Sequence, residues 1–197
     1  MHNITIATAS RVAVAIAVAI AVGARPRPAD ADPPRVTSEA HDGQHDFDFV
    51  LGSWTIKNRV LRKAPSGAIS WYEFDATSVN RPVWDGTANV EEWDGTGPSG
   101  RIQGMAVRLY DPAAKHWSIY WADRRFGTLG YPVVGSFEDG RGEFFADGTS
   151  GGKKTRERVI WSRISKDSCR WEQAISFDGG MTWETNWIMD FTRVPPY

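Results

Sequence analysis

The sequence predicts an all-β protein, a single antiparallel meander β-barrel of about ten strands. From His45 onward, short segments alternate apolar and polar residues, and Gly, Pro, Asn or Asp closes each of them. The connections have hairpin length, which favours antiparallel neighbours. Helical periodicity is missing from this sequence apart from a single turn at 46–50. A meander this long tends to close into a barrel, because closure removes unpaired strand edges.

The individual strands follow from turn signals and from alternation. Residues 64–67 (APSG) mark one turn, since Gly and Pro supply backbone conformations that strands avoid. In the last segment, Trp187 and Phe191 share one face while Asn186 and Asp190 share the other, as expected of a wall with one buried side. The expected strands are 53–62, 69–79, 86–93, 102–110, 115–123, 131–137, 141–147, 155–164, 168–177 and 183–193.

The N-terminal segment has the layout of a secretory signal. Residues 12–22 form an uncharged apolar run that is too short to span a bilayer as a helix. Arg11 precedes this run, and Ala29-Asp30-Ala31 offers a small-x-small cleavage site after it. We therefore expect a signal peptide at 1–31, a Pro-rich linker at 32–44 and the barrel domain at 45–197, in a secreted or periplasmic protein. The alternative is a mis-assigned start codon ahead of a cytoplasmic protein.

Composition excludes some classes of partner and leaves one question open. The net charge is −1, so the charge balance favours neither nucleic acid nor an anionic membrane as a partner of the mature protein. Cys169 is the only cysteine, so an intramolecular disulfide is impossible. The ten tryptophans are unusual. Because an indole buries a large area and needs a partner for its N–H, they indicate either an aromatic-lined cavity or a thick aromatic core.

Alternation then selects candidate binding residues. If Trp54 points inward, Ile56, Asn58 and Val60 do so too. The same parity, followed from the other aromatic positions, also turns Trp71, Glu73, Trp121, Asp123, Glu157, Gln173 and Trp187 inward. Polar groups among indole rings are typical of a ligand site, although they are equally compatible with a filled core. The predicted ligand-binding residues are Asn58, Trp71, Trp121, Asp123, Arg124, Gln173 and Trp187.

Two of these positions have specific chemical interpretations. A carboxylate surrounded by indoles is desolvated, which makes Glu73 the candidate general acid or base. The alternatives are that Glu73 pairs with an arginine such as Arg81 or Arg108, or that it faces water. The run from Asp123 to Arg125 ends a predicted strand and could anchor a carboxylate or phosphate at the barrel mouth, or could be solvated there.

The two ends of the barrel sequence carry a resemblance. A short turn leads into Gly52-Ser53-Trp54, and the last strand ends in Asp190-Phe191-Thr192-Arg193. This arrangement resembles the lipocalin/calycin barrels, in which a Trp after Gly-x plugs one end and an Arg from the last strand packs across it. The resemblance implies that Gly52, Trp54 and Arg193 are structural closure residues. An arginine over an indole face is itself stabilising, by ~1 kcal/mol or more when desolvated.

The wider pattern is more specific. The segments HDFDFVLGSW, WSIYWADRR, VVGSFEDGRGEFF and RWEQAISFDGGMTWETNWIMDFTR resemble a group of bacterial calycin-like proteins classed as a domain of unknown function, DUF1579. The resemblance covers residues 45–193. It implies the barrel fold and no particular activity.

Three further features of the sequence bear on its possible chemistry. Residues 176–183 (SFDGGMTW) fit the Asp-box pattern of sialidase propellers, but the pattern occurs once, so we interpret it as a hairpin turn. No pair among the four histidines has the spacing of metal ligands, so no metal site is expected. No histidine follows His116, which argues against the haem ligation of nitrobindin-like calycins, and no cofactor is predicted.

Two functions remain open from sequence. The first is a carrier or sensor for a small hydrophobic or aromatic molecule. The alternative is a cofactor-free isomerase, cyclase or lyase that uses Glu73 as its base. The fold alone does not choose between them, and the sequence does not give the oligomeric state.

Overall fold

The computed structural model describes residues 41–97 and 100–195. Ten antiparallel strands follow one another in chain order, and the first pairs with the last to close the barrel, which confirms the predicted fold. The predicted signal peptide lies outside the described residues. The strands are β1 (Gly52–Lys63), β2 (Ile69–Val83), β3 (Ala88–Gly97), β4 (Gly100–Asp111), β5 (His116–Asp123), β6 (Val133–Glu138), β7 (Arg141–Ser150), β8 (Lys153–Ser162), β9 (Ser168–Ser176) and β10 (Glu184–Arg193).

Helical structure in the described part of the chain consists of 3-10 turns. One spans Asp48–Val50, within the predicted single turn, and another spans Trp84–Gly86. No helix in residues 41–97 and 100–195 is both long and apolar enough to cross a membrane.

The turn before β1 plugs one end of the barrel. Phe47 is buried and packs edge-on against Trp117, with ring centroids 5.1 Å apart. Further contacts reach upstream of the predicted domain start, since the indole N–H of Trp117 donates to the Gly43 carbonyl at 2.8 Å. The Tyr110 hydroxyl donates to the Asp42 carbonyl. The last residues of the expected linker therefore pack on the barrel.

The closure residues meet at this same end. The guanidinium carbon of Arg193 lies 4.1 Å from the Trp54 ring centroid, as the resemblance implied. Gly52 has φ of +105°, and a Cβ at this position would lie 3.0 Å from Arg193 Nη1. Glycine therefore allows both the backbone turn and the close approach of the arginine. We call this the closed end.

The opposite end is more open, and the wall there is incomplete between β5 and β6. These strands share three residue pairs, from Trp117 with Gly135 to Ile119 with Val133, whereas β3 and β4 share ten. Residues 124–132 connect the two strands on the open-end side of this short ladder. The far half of β5 therefore has no ladder partner on β6, and it pairs with the connecting segment through one bridge, Ala122 with Leu129, and a hydrogen bond from the Gly130 N–H to the Trp121 carbonyl at 2.8 Å.

The Asp-box segment forms the hairpin between β9 and β10, which confirms its interpretation as a turn. The Asp178 carboxylate accepts hydrogen bonds from the Thr182 hydroxyl at 2.5 Å, the Thr182 N–H at 2.9 Å and the Ser176 hydroxyl at 2.7 Å. These bonds hold the pKa of Asp178 below its usual range, because they favour the charged form. The carboxylate therefore acts as a local fastener.

Candidate ligand-binding cavity

The barrel encloses a cavity of about 310 Å³ between its middle and its open end. Most of the lining is apolar and comes from strands β3 to β5 and β8 to β10. Its volume lies at the small end of the range of about 300–1,000 Å³ that ligand sites occupy. The indoles that line it belong to Trp93, Trp121, Trp161, Trp171 and Trp187.

Four of these indoles form a continuous arc. The ring centroids of Trp171 and Trp187 are 6.0 Å apart, those of Trp187 and Trp93 are 6.4 Å apart, and those of Trp93 and Trp121 are 6.2 Å apart. Each pair meets edge to face, at 78° to 86°. This geometry is favourable for indole pairs because the positive edge of one ring meets the negative face of the next.

A buried arginine forms the polar floor of the cavity. Arg108 is 2% exposed, and its Nη2 donates to Glu91 Oε2 at 2.5 Å. Its Nη1 donates to the side-chain oxygens of Asn80 and Asn89, both at 2.9 Å. The guanidinium also lies 5.6 Å from the Trp161 ring centroid. Partners on β2, β3 and β8 thus hold one charge inside the barrel, where an unpaired charge would be very costly.

Some polar atoms in this cavity have no hydrogen-bond partner among the described residues. They are Glu91 Oε1, Arg108 Nε, Trp93 Nε1 and Trp161 Nε1. All four residues line the cavity, and each is 4% exposed or less. A buried polar atom without a partner costs about 1–3 kcal/mol. These atoms are themselves fully buried, so they lie behind the cavity surface and are not exposed to a molecule in the cavity.

A second carboxylate lines the cavity. Gln173 Nε2 donates to Glu157 Oε1 at 2.5 Å, joining β9 to β8. Glu157 and Gln173 were both predicted to face inward, and both line the cavity. The mouth lies nearby in the fold: Trp121 is 38% exposed and Tyr131 95% exposed, and both border the cavity at the incomplete β5–β6 wall.

Three of the predicted binding residues lie on the inner face as expected. Trp121, Gln173 and Trp187 border the cavity. Asn58 is buried inside the barrel but supports the wall, because its Oδ1 accepts the Trp187 indole N–H at 3.0 Å. The binding role assigned to these residues stays a prediction.

The expected inward orientation of Trp71 and Glu73 is wrong. In the β1–β2 register, Val60 pairs with Tyr72 and Leu61 pairs with Trp71. Because paired residues point to the same face of a sheet, Tyr72 and Phe74 point inward with their β1 partners. Trp71, which is 44% exposed, and Glu73 therefore lie on the outer face. Glu73 therefore cannot act as a base inside the cavity.

The run predicted as an anion anchor at the strand end does not line this cavity. Asp123 is largely buried but does not border the cavity, and Arg125 Nη2 donates to its Oδ2 at 2.6 Å. The hydrogen bond from Arg125 holds the pKa of Asp123 below its usual range. Arg124 is exposed and donates to Gln103 Oε1. These charged groups are thus engaged with protein partners outside the cavity.

Sequence reasoning missed the polar floor and three of the indoles. Arg108 was considered only as a possible partner of Glu73, and Glu91 was not singled out, although parity from Trp93 turns Glu91 inward. Small residues facing them were a further signal, since Gly104 and Ala106 on β4 lie beside Trp93 and Glu91. The remaining indoles, Trp161 and Trp171, face each other across β8 and β9.

Neither metal chemistry nor a reactive thiol has support in the described part of the chain. Residues 41–97 and 100–195 contain no group of three His, Cys, Asp or Glu side chains able to hold a metal ion. Burial raises the pKa of the Cys169 thiol to about 12. This keeps it protonated and unreactive near neutral pH.

Comparison with known proteins supports the fold alone. No protein-family model matches the chain, and no curated protein matches it. An S-type phycobiliprotein lyase from Guillardia theta is similar in structure, with a TM-score of 0.51 and 14% sequence identity over 78% of this chain and 93% of that chain. A de novo designed fluorescence-activating β-barrel matches with a TM-score of 0.40 and 14% identity, over 75% and 95% of the respective chains. The chain therefore shares the barrel fold of the lyase.

Proposed function

We propose that the barrel binds a small, flat, partly aromatic molecule in the cavity, as a carrier or sensor. The observation that supports this most directly is the cavity itself, about 310 Å³ of space lined by five indoles together with Glu91, Arg108, Glu157 and Gln173. A filled core, packed to the usual density of protein interiors, would leave no such space.

The shape and chemistry of the walls favour a flat ring system. The edge-to-face arc of indoles offers both ring faces and ring edges to an aromatic guest. The Arg108 network is held by Asn80, Asn89 and Glu91, so the polar floor is already ordered. Preorganised groups lower the entropic cost of binding.

The enzyme alternative depended on Glu73 as a base inside the barrel. This carboxylate lies on the outer face of β2, so it is not available for that role. The cavity carboxylates each accept a hydrogen bond from a protein partner, from Arg108 for Glu91 and from Gln173 for Glu157. We therefore favour binding without turnover.

Ligand-observed NMR tests the proposal with coumarin and 2-naphthol as neutral, flat probes. Saturation of protein resonances should transfer to both probes in the wild type, because the ring protons would lie against the indoles. Trp171→Leu should weaken the transfer strongly by removing part of the wall. Trp71→Leu is the matched control, since this indole is on the outer surface.

Two results would contradict binding of the probes in the cavity. If neither probe receives saturation from the wild type, the cavity does not bind flat aromatic molecules. Equal loss in Trp171→Leu and Trp71→Leu would mean that binding occurs on the outer surface. Circular dichroism of each variant establishes that the barrel is intact before the comparison is made.

A further inference from the structure

We infer that the ligand is an arylalkylamine whose protonated nitrogen pairs with Glu157 and whose ring lies among the indoles. This inference rests on the proposed function and specifies the class of ligand.

The charge of the cavity lining points to a cation. Its charged residues are Glu91, Arg108 and Glu157, two carboxylates and one guanidinium. Arg108 is bonded to Glu91, which leaves the Glu157 carboxylate as the uncompensated charge. Among the described residues, Glu157 takes part in no ion pair, and its hydrogen-bond partner is the neutral Gln173 amide.

The two arginines that flank Glu157 in sequence are directed elsewhere. Strand alternation places Arg156 and Arg158 on the outer face. The Arg156 guanidinium lies 4.9 Å from the Phe145 ring centroid, and that of Arg158 lies 4.4 Å from the Trp183 ring centroid. Neither arginine borders the cavity, so Glu157 is available to a cation that enters it.

The indole arc adds a second attraction for the same charge. Trp rings bind cations through their negative faces, and this effect increases as water is excluded. Trp171 and Trp187 are on β9 and β10, next to Gln173 in the ladder, so indole faces and the Glu157–Gln173 pair belong to one side of the cavity. An ammonium group supplies three donors, which suits the Glu157 carboxylate.

A series of compounds that share one phenol ring separates charge from shape. Tyramine is cationic, tyrosol is its neutral hydroxyl counterpart, and 4-hydroxyphenylacetate is the anion. Isothermal titration calorimetry should give tyramine an affinity about tenfold higher than that of tyrosol, because a hydrogen bond to a charged group is stronger than a neutral one. The anion should bind weakest.

Glu157→Gln should reduce the affinity for tyramine to about that for tyrosol and leave tyrosol unchanged, since the amide keeps the shape and removes the charge. Glu73→Gln is the matched control on the outer face and should change neither affinity. An anion that binds as tightly as tyramine, or a Glu157→Gln variant with full tyramine affinity, would overturn the inference. Binding of coumarin and 2-naphthol without any tyramine binding overturns this inference alone. If none of these compounds binds, the proposed function fails as well.

Discussion

Two of the arginines that lie over a tryptophan, Arg193 and Arg108, have different surroundings. At the closed end, Arg193 lies over Trp54 and donates to the carbonyls of Lys166, Leu51 and Phe49 at 2.6 to 2.7 Å. The Trp54 N–H donates to the Val50 carbonyl at 2.7 Å. Every side-chain donor of this pair that is buried thus has a protein acceptor.

The second pair lies in the middle of the barrel. Arg108 lies over Trp161, but its Nε and the Trp161 N–H have no partner among the described residues. Both residues line the cavity, although these two atoms are themselves buried. The same arrangement of an arginine over an indole thus occurs in two forms: at the closed end the polar groups are paired with the protein, and in the middle of the barrel some are unpaired.

The largest expected change in stability comes from a variant that tests whether water is excluded from the middle of the barrel. Arg108→Met should cost ~3–5 kcal/mol in the free energy of unfolding, because it leaves the Glu91 carboxylate buried without its partner. Denaturant titration measures it. The double variant Arg108→Met with Glu91→Leu should recover most of the loss, since neither charge then remains. A single variant as stable as the wild type would show that water in the cavity solvates Glu91.

A smaller change in the free energy of unfolding is expected when the indole N–H groups of Trp54 and Trp161 are removed in turn. Trp54→Phe should cost ~1–3 kcal/mol beyond the loss of volume, because it leaves the Val50 carbonyl without its donor. Trp161→Phe removes an N–H without a described partner, so only the loss of volume applies. Both indoles are 2% exposed or less, so the difference between the two unfolding free energies isolates the hydrogen bond. Equal losses would contradict the distinction between the two ends.

The smallest expected effect uses Cys169 as a probe of access to the interior. Burial raises its thiol pKa to about 12, so the folded protein should not react with Ellman's reagent at about pH 8. The sign follows from linkage: folding disfavours the thiolate, so this stabilising contribution is present below the unfolded pKa and decreases as pH rises above it. Protein unfolded in denaturant provides the reactive control. Rapid labelling of the native protein would mean that reagent reaches the core from the cavity.

Much of the barrel was predictable because its information is local. Alternation and turn residues gave ten strands in the right order, and hairpin-length connections gave their pairing. The closure by Trp54 and Arg193 followed from the resemblance at the two ends of the sequence. The Asp178 turn also followed from its own short motif.

The tertiary structure decided which residues share the cavity. Alternation divides a strand into two faces but does not say which is inside, and β2 carries aromatic residues on both. The register with β1 settled that question against Trp71 and Glu73. The polar floor joins Asn80, Asn89, Glu91 and Arg108 from three neighbouring strands, and polar residues of these types are mostly exposed in proteins. The strand register places them side by side, because Asn80 pairs with Glu91 and Asn89 pairs with Arg108, and these cross-strand partners keep Arg108 buried.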